Sequence, residues 1–221
     1  MSDEPTARAI LDEFYQDYLV DQDSASFIKK TSERYTVGTL ERLASASRRA
    51  TRRAAALALG FVAGYESNAV LGRALTDQDR LVRCLAENGI RSLWIRAGRD
   101  GERQRLQAVI RLNSAQRFKE AVRQATELIQ QAPSYAEAWN QRAIANYSLG
   151  RYPASIHDCR QALEINPYHF GAAGGLGQCQ VQLGEHRAAL ESFRRALRLN
   201  PNLEGVRASV TYLERALKRK K

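Results

Sequence analysis

Histidine and cysteine are the side chains of this sequence that could ligate a metal ion or act in covalent chemistry. The three histidines, His157, His169 and His186, fall in different contexts of the chain. His157 and Cys159 lie two residues apart, which places them on different faces of a helix. Neither a metal-ligand spacing nor a nucleophile motif assembles from these residues. We therefore expect no catalytic residues, no metal and no cofactor, and predict that the protein is not an enzyme.

The three cysteines, Cys84, Cys159 and Cys179, are widely spaced within helical patterns. Such spacing is typical of reduced core thiols and not of a disulfide framework or a zinc site. No run approaches 18 consecutive apolar residues, and Met1–Pro5 lacks the basic and apolar segments of a signal peptide. The sequence therefore predicts a cytoplasmic protein without a membrane span.

The glycine-rich run Gly171–Gly177 is a candidate phosphate loop, because glycines let backbone N–H groups approach an anion closely. The run contains no Lys-Ser/Thr pair and falls inside a predicted helix. Close helix packing or a shallow groove is the better interpretation.

A 34-residue period organises the second half of the chain. Pro133, Pro167 and Pro201 are 34 residues apart (167−133 and 201−167), and Leu149-Gly150 recurs as Leu183-Gly184. Such a period predicts a stack of helical hairpins, each of which buries its apolar face against its neighbours. The glycine ends the first helix of each hairpin, and the proline prevents the second helix from continuing.

Matching positions within the period carry matching side chains. Small residues recur where two helices would cross closely, at Val109, Ala143 and Gly177 and again at Ala121, Ser155 and Ala189. Larger side chains recur beside the turn, at Phe118, Tyr152 and His186.

This pattern resembles the tetratricopeptide repeat, which has a Trp, a small residue, Leu-Gly, an aromatic residue, Ala, Phe, Ala and Pro over 34 residues. Residues 136–167 supply Trp139, Ala143, Leu149-Gly150, Tyr152, Ala162 and Pro167. Residues 170–201 supply Leu176-Gly177, Leu183-Gly184, Ala189, Phe193, Ala196 and Pro201. Residues 102–133 keep Phe118, Ala121 and Pro133 but have Ala115-Gln116 in place of Leu-Gly, which predicts a degenerate first repeat.

A second, shorter period precedes these repeats. Arg52, Ala55 and Leu59 recur as Arg83, Ala86 and Ile90, each displaced by the same interval (83−52, 86−55 and 90−59). The Ala-Leu-rich helices, with Asp79 and Arg83 near the start of the later one, resemble HEAT repeats over residues 36–97. That resemblance implies helical hairpins in which the Asp and Arg brace neighbouring units. A lyase or hydroxylase of the HEAT type is the lowest-ranked function, since the chain lacks the His-Glu pairs of the hydroxylases.

Both ends of the chain are predicted to be capping helices. Residues 1–35 form an acidic helical cap, in which Pro5 suits a first helical turn. Asp12, Glu13 and Asp17 lie opposite an apolar face that consists of Ile10, Leu11, Phe14, Tyr15, Tyr18 and Leu19. The sequence leaves open whether this segment covers the stack or detaches. Residues 202–221 form a basic capping helix, and residues 96–101 form either a hinge or a packed corner. The predicted fold is all-α, a right-handed α-solenoid of HEAT-like and then tetratricopeptide hairpins.

The tetratricopeptide resemblance implies that the first helix of each repeat lines a groove for an extended peptide or a helix of another protein. The groove positions are Arg103, Leu106, Ile110, Asn113, Glu137, Asn140, Ile144, Tyr147, Gly171, Gly174, Gln178 and Val181. Asn140 and Gln178 would hold a peptide backbone through their amide groups. The carboxylate clamp of chaperone-binding members is not expected, because its basic and amide positions here read Leu106, Ile110, Gln141, Gly171 and Gly175.

The net charge of +10 leaves a nucleic-acid accessory as the alternative function. The basic positions are Arg48, Arg49, Arg52, Arg53, Arg194, Arg195, Arg198 and Lys218–Lys221. Nucleic-acid binding would need these side chains on one face with aromatic side chains for stacking. The aromatic residues mostly occupy repeat core positions, so a protein-binding scaffold or adaptor is the preferred function. The partner and the oligomeric state are not specified by the sequence.

Overall fold

The computed structural model describes residues 10–218, and every regular element in that range is helical. The chain divides into two compact units between Leu93 and Trp94. The predicted helix start at Pro5 and the last three residues of the basic terminus lie outside the described range. Among the described residues, no helix combines the length and apolarity that a membrane crossing requires.

The first unit contains helices of 7 to 17 residues, and the boundary between the units falls within the last of them. The helices are α1 (Ile10–Asp21), α2 (Ser24–Arg34), α3 (Val37–Leu43), α4 (Arg49–Val62), α5 (Asn68–Ala74) and α6 (Arg80–Arg96), with a 3₁₀ turn at Tyr65–Ser67 before α5. Asp23 caps α2 by accepting a hydrogen bond from the Ser26 N–H, and Thr36 caps α3 in the same way through Thr39. Side-chain caps of this kind satisfy N–H groups that have no partner inside the helix.

The shorter period is visible in the contacts of two arginines. Arg52 donates to the carbonyl groups of Ala46 and Ser47, and Arg83 donates to those of Asp77 and Gln78. Each arginine therefore binds the carbonyl groups six and five residues before it. The first unit has an internal structural repeat, while its assignment to the HEAT family stays a prediction.

Two arginine–aspartate pairs fasten α4 to the turn before α6. Arg52 makes a two-point contact with Asp77 at 2.8 and 3.0 Å, and Arg53 makes one with Asp79 at 2.9 and 2.6 Å. The Arg53 guanidinium holds the pKa of the Asp79 carboxyl well below its usual range. The planar guanidinium of arginine matches the two carboxylate oxygens with two parallel N–H bonds, which the point charge of a lysine ammonium does not.

The expected exposed acidic face of α1 is wrong at one position. Leu11 and Tyr15 are buried as expected, but Asp12 is only 1% exposed and lies 3.5 Å from the Arg48 guanidinium. Ile10 and Leu19, placed on the buried face by their spacing, are partly exposed instead. The helix is therefore rotated from the predicted orientation, with a carboxylate turned inward.

The second unit is a series of antiparallel helices that repeat at the predicted interval. Its helices are α7 (Asp100–Ser114), α8 (Phe118–Gln131), α9 (Ala136–Ser148), α10 (Tyr152–Ile165), α11 (Phe170–Gln182), α12 (His186–Leu199) and α13 (Glu204–Lys218). The second helices α8, α10 and α12 begin one full period apart (152−118 and 186−152), and so do α9, α11 and α13 (170−136 and 204−170). The helix α13 thus occupies the place of a first helix in the next repeat.

The turns inside the hairpins need a left-handed residue, as the Leu-Gly pattern indicated. Gly150 has φ +72° and Gly184 has φ +75°. The degenerate repeat keeps the same turn with Gln116 at φ +58°. A non-glycine residue is strained there because its Cβ crowds the backbone.

Small residues let the helices of each hairpin approach closely. A Cβ built on Gly177 would lie 2.6 Å from the ring of Phe193, so this position accepts only hydrogen. Ser155 is buried and donates to the Ala143 carbonyl at 2.8 Å across the helix pair. Helix packing therefore explains Gly177, the last residue of the glycine-rich run in α11.

Candidate functional site

The first helices of the second unit share one face, which we call the first-helix face. It consists of four positions on each of α7, α9, α11 and α13, and the set recurs once per repeat. They are Arg103, Leu106, Ile110 and Asn113; Glu137, Asn140, Ile144 and Tyr147; Gly171, Gly174, Gln178 and Val181; and Gly205, Ala208, Tyr212 and Arg215. The predicted groove residues are the first three of these four sets.

Several predicted groove residues are buried within the unit. Leu106 has no exposed surface and packs in a core cluster with Leu128 and Ala138, and Ile110 packs against the same cluster. Gly174 is buried, with Val206 of α13 nearby. These positions contribute packing and the close approach of the backbone, and a ligand could contact little of Leu106.

Three polar groove residues, Asn113, Glu137 and Asn140, belong to one hydrogen-bond network that also includes Gln141. The Asn113 amide donates to the backbone carbonyl and to the side-chain oxygen of Gln141, at 3.0 and 2.9 Å. Gln141 and Asn140 donate to Glu137 Oε1 at 2.8 and 3.1 Å. Asn140 donates an amide hydrogen to Glu137 and only 9% of the residue is exposed, and its role in holding a peptide stays a prediction.

His169 completes this network and was missed as a polar residue by the sequence reasoning. Its Nδ1 accepts the backbone N–H of Ala172 at 3.0 Å, so Nε2 carries the proton and donates to Glu137 Oε2 at 2.9 Å. His169 therefore caps α11 and connects α11 to α9. Trp94 stacks on the imidazole ring at 4.2 Å between ring centres.

Glu137 is the buried acceptor at the centre of these contacts. Burial acts to raise the pKa of its carboxyl, but the hydrogen bonds from His169, Gln141 and Asn140 outweigh burial and lower it. Hydrogen bonds to the charged form of an acid favour that form. The network Asn113–Gln141–Glu137–His169 thus holds three first helices together around one carboxylate.

An open depression of about 360 Å³ lies on the first-helix face between α9, α11 and α13. Its walls come from the predicted residues Tyr147, Gln178 and Val181, and from residues that were not predicted. The additional residues are Gln182, Phe193, Ala208, Ser209, Tyr212 and Leu213. Tyr212 is 69% exposed, and its place one full period after Gln178 was the signal that could have identified it.

The helix α13 packs on α12 and also extends the first-helix face. Leu213 is buried against α12, as expected for a capping helix. Ala208 and Tyr212, however, turn toward the depression and extend the face by one helix.

A second open depression, of about 610 Å³, borders α7. It is lined by Ile95, Arg96, Asp100, Arg103, Gln104, Gln107 and Arg111. Burial, together with the like charge of Arg103, lowers the pKa of Arg96. Three arginines against one aspartate make this a basic recess at the α7 edge of the first-helix face.

The histidines occupy separate structural positions, whereas Cys159 and Cys179 lie in one buried core cluster. His157 is exposed beside Trp139, His169 is the cap described above, and His186 begins α12. Among residues 10–218, no three His, Cys, Asp or Glu side chains are arranged to hold a metal ion. Cys159 and Cys179 are buried and free, and burial raises the pKa of the Cys159 thiol to about 12, which disfavours a reactive thiolate.

Several of the basic positions considered for nucleic-acid binding are paired with carboxylates. Arg52 and Arg53 contact Asp77 and Asp79, and Arg194 bridges Glu191 and Glu214. Together with the contact between Arg48 and Asp12, these pairs account for four of the named arginines.

A family model identifies the class of the second unit. Residues 136–169 and 172–203 match the tetratricopeptide repeat model. These segments are tetratricopeptide repeats, as their residue pattern indicated.

The similar proteins agree with this class. A TPR repeat-containing protein of Rhizobium etli is 46% identical over 50 residues, which are 23% of this chain and 24% of the relative. The chain thus matches only about a quarter of that relative's length. The first TPR domain of Spaghetti (RPAP3), bound to the HSP90 peptide SRMEEVD, aligns with 53% of this chain and 93% of its own, at TM-score 0.52 and 20% identity. The Yersinia enterocolitica translocator chaperone SycD aligns with 56% of this chain and 98% of its own, at TM-score 0.52 and 14% identity. At these identities the structural likeness shows a shared helical fold.

Proposed function

We propose that this protein is a non-enzymatic adaptor that holds a segment of a partner protein on the first-helix face. The observation that carries the proposal is the open depression between α9, α11 and α13, whose walls combine Tyr147, Val181 and Tyr212 with the amide of Gln178. Aromatic side chains supply contact area, and an amide can pair with a peptide backbone through its donor and acceptor groups.

Exposed apolar side chains on the same face support this role. Ile144 is 42% exposed and Tyr212 is 69% exposed, and both occupy the third position of their helices on the first-helix face. A partner seated on this face would remove both side chains from water, and burial of apolar surface is favourable. The face is therefore suited to a partner that covers them.

A protein of the same helical fold suggests a peptide as the kind of ligand. The Spaghetti domain has the HSP90 peptide SRMEEVD bound, as its name states. In this chain the positions of the carboxylate clamp read Leu106, Ile110, Gln141, Gly171 and Gly175. A partner peptide here would therefore be recognised by other contacts.

The HEAT-like character of residues 36–97 and a cytoplasmic location belong to the same proposal. The repeated carbonyl contacts of Arg52 and Arg83 support the first of these.

The test is affinity capture from the native host with the double variant Ile144→Ser with Gln178→Ala. Both side chains are exposed, and both belong to the first-helix face. The variant should fold normally and lose the partner. A matched control, Leu183→Ala with Arg195→Ala, removes an equally exposed leucine and a charged side chain from a turn and a second helix, and it should keep the partner. Equal capture by wild type and the Ile144/Gln178 variant would refute the proposal.

A further inference from the structure

The first-helix face carries almost no exposed negative charge. Among its described positions, Glu137 is the single acid, and that carboxylate is 7% exposed and engaged by three side chains. Arg103 stands at the α7 end and Arg215 at the α13 end. The face therefore has a neutral centre between two positive ends.

The α7 end is the more basic of the two. Arg96, Arg103 and Arg111 line one recess, in which Asp100 is the one carboxylate and is paired with Arg103. Burial lowers the pKa of Arg96, and repulsion from the like charge of Arg103 adds a smaller effect in the same direction. An anionic group placed in this recess would relieve that repulsion.

The α13 end has a different chemistry. The depression of about 360 Å³ is walled mainly by the apolar surfaces of Tyr147, Val181, Phe193, Tyr212 and Leu213. Such a recess suits one large apolar side chain, because burial of that side chain removes apolar surface from water on both partners. The two recesses thus favour two kinds of group on one ligand.

The spacing of the helices relates the two recesses. Neighbouring packed helices lie about 8–10 Å apart, and the recesses are separated by between two and three first-helix steps. An extended chain would cover the resulting distance of roughly 20–25 Å in about six to eight residues.

We infer that the partner is an extended peptide segment with a large apolar side chain, seated between α9, α11 and α13, and with acidic residues about six to eight positions away, facing Arg103 and Arg111. This inference rests on the proposed function and adds the chemistry of the ligand. The acidic groups are side chains, so a free peptide C-terminus is not required.

The experiment uses fluorescent peptides of about a dozen residues that hold one Phe and a Glu-Glu pair about seven positions apart in a Gly/Ser background. Both chain directions are synthesised, each with an amidated and with a free C-terminus, and binding to the full chain is followed by fluorescence anisotropy. One direction should bind, with either terminus. Replacing Phe by Ala should weaken binding about tenfold or more. Replacing Glu-Glu by Gln-Gln should weaken it about three- to tenfold at low salt and less at high salt.

Protein variants locate the two contacts. Tyr212→Ala should abolish the preference for Phe over Ala, and Arg111→Glu should abolish the preference for Glu-Glu over Gln-Gln. Arg160→Glu on the second helix α10 makes the same charge change at an exposed site and should leave both preferences intact. Circular dichroism and the melting temperature should match wild type for all three.

Three results would overturn the inference. They are no binding in either direction, binding that requires the free terminus, and preferences that persist in Tyr212→Ala and Arg111→Glu. If the Ile144/Gln178 variant loses its natural partner while these peptides do not bind, the proposed function stands and the ligand chemistry is wrong.

Discussion

In the first unit, arginines bind loop carbonyl groups and half-buried aspartates, whereas in the second unit a buried carboxylate accepts hydrogen bonds from its own helix α9 and from the cap of α11. Arg52 and Arg83 make the same set of carbonyl contacts in successive repeats, and Arg52 also pairs with Asp77 at a half-buried site. Glu137 instead accepts from Gln141 of its own helix α9 and from His169 at the start of α11, and Asn113 of α7 is bonded to Gln141. Contacts at the turns thus hold the helices of the first unit together, whereas contacts between helix faces hold those of the second unit together.

The consequence for function follows from where each unit places its polar contacts. The second unit uses Asn113, Glu137 and Asn140 to orient the first helices from within. The exposed part of the first-helix face is then left to Ile144, Gln178 and Tyr212. A rigid inner layer beneath an exposed outer layer suits a binding surface.

The largest predicted effect comes from removing the buried acceptor. Glu137→Ala leaves donors of His169, Asn140 and Gln141 without a partner and should lower the free energy of unfolding by about 3 kcal/mol. Glu137→Gln keeps one acceptor oxygen and should lose about half as much. Urea unfolding measures both. Equal stability of Glu137→Ala and wild type would mean that the network does not hold the helices together.

Replacement of Arg52 in the first unit should lower the free energy of unfolding less than replacement of Glu137. Arg52→Ala removes the fork to Asp77 and two carbonyl contacts and should cost about 1–2 kcal/mol, since the pair is partly exposed to water. Arg52→Lys restores the charge but not the fork geometry, so it should recover less than half of the loss. If Arg52→Ala lowers the free energy of unfolding more than Glu137→Ala does, the predicted order of the two contacts is wrong.

Acid should weaken both the ion pair between Arg53 and Asp79 in the first unit and the Glu137 network in the second unit. The folded-state pKa values of Glu137 and Asp79 lie below their ordinary values of 4.5 and 3.8. Their stabilising contributions are therefore complete above those ordinary values and are lost as pH falls through the lower folded values. The difference in unfolding free energy between wild type and Glu137→Gln should shrink between pH 6 and pH 3. High salt should weaken the Arg53–Asp79 pair more than the buried network, and a pH-independent difference would contradict this account.

The pattern of the sequence predicted the second unit well, because its period places glycines and small residues at turns and helix contacts. Gly150, Gly184 and Gly177 occupy the positions that their spacing indicated. The network was not predictable in the same way. Trp94 and His169 are far apart along the chain, and no local pattern indicates that their rings stack. The inward turn of Asp12 was likewise missed, because helical periodicity gives an apolar face but not its exact rotation.

The smallest predicted effect lies in the degenerate turn. Gln116→Gly removes the strain of a left-handed glutamine and should stabilise the protein by up to about 1 kcal/mol, while Gly150→Ala should destabilise it by about 1 kcal/mol. Thermal melting of the two variants tests the assignment. A lower melting temperature for Gln116→Gly would show that the side chain of Gln116 contributes more than its strain costs.

The central claim is that the first-helix face holds a protein partner, and site-specific photocrosslinking tests it most directly. A photoreactive phenylalanine analogue is placed at Gln178 on this face or at Arg195 on the second helix α12, and the cells of the native host are irradiated. The account predicts a discrete adduct from position 178 that protease removes and nuclease does not, with little adduct from position 195. Adducts that form at position 195 and not at position 178, or that nuclease removes, would contradict it.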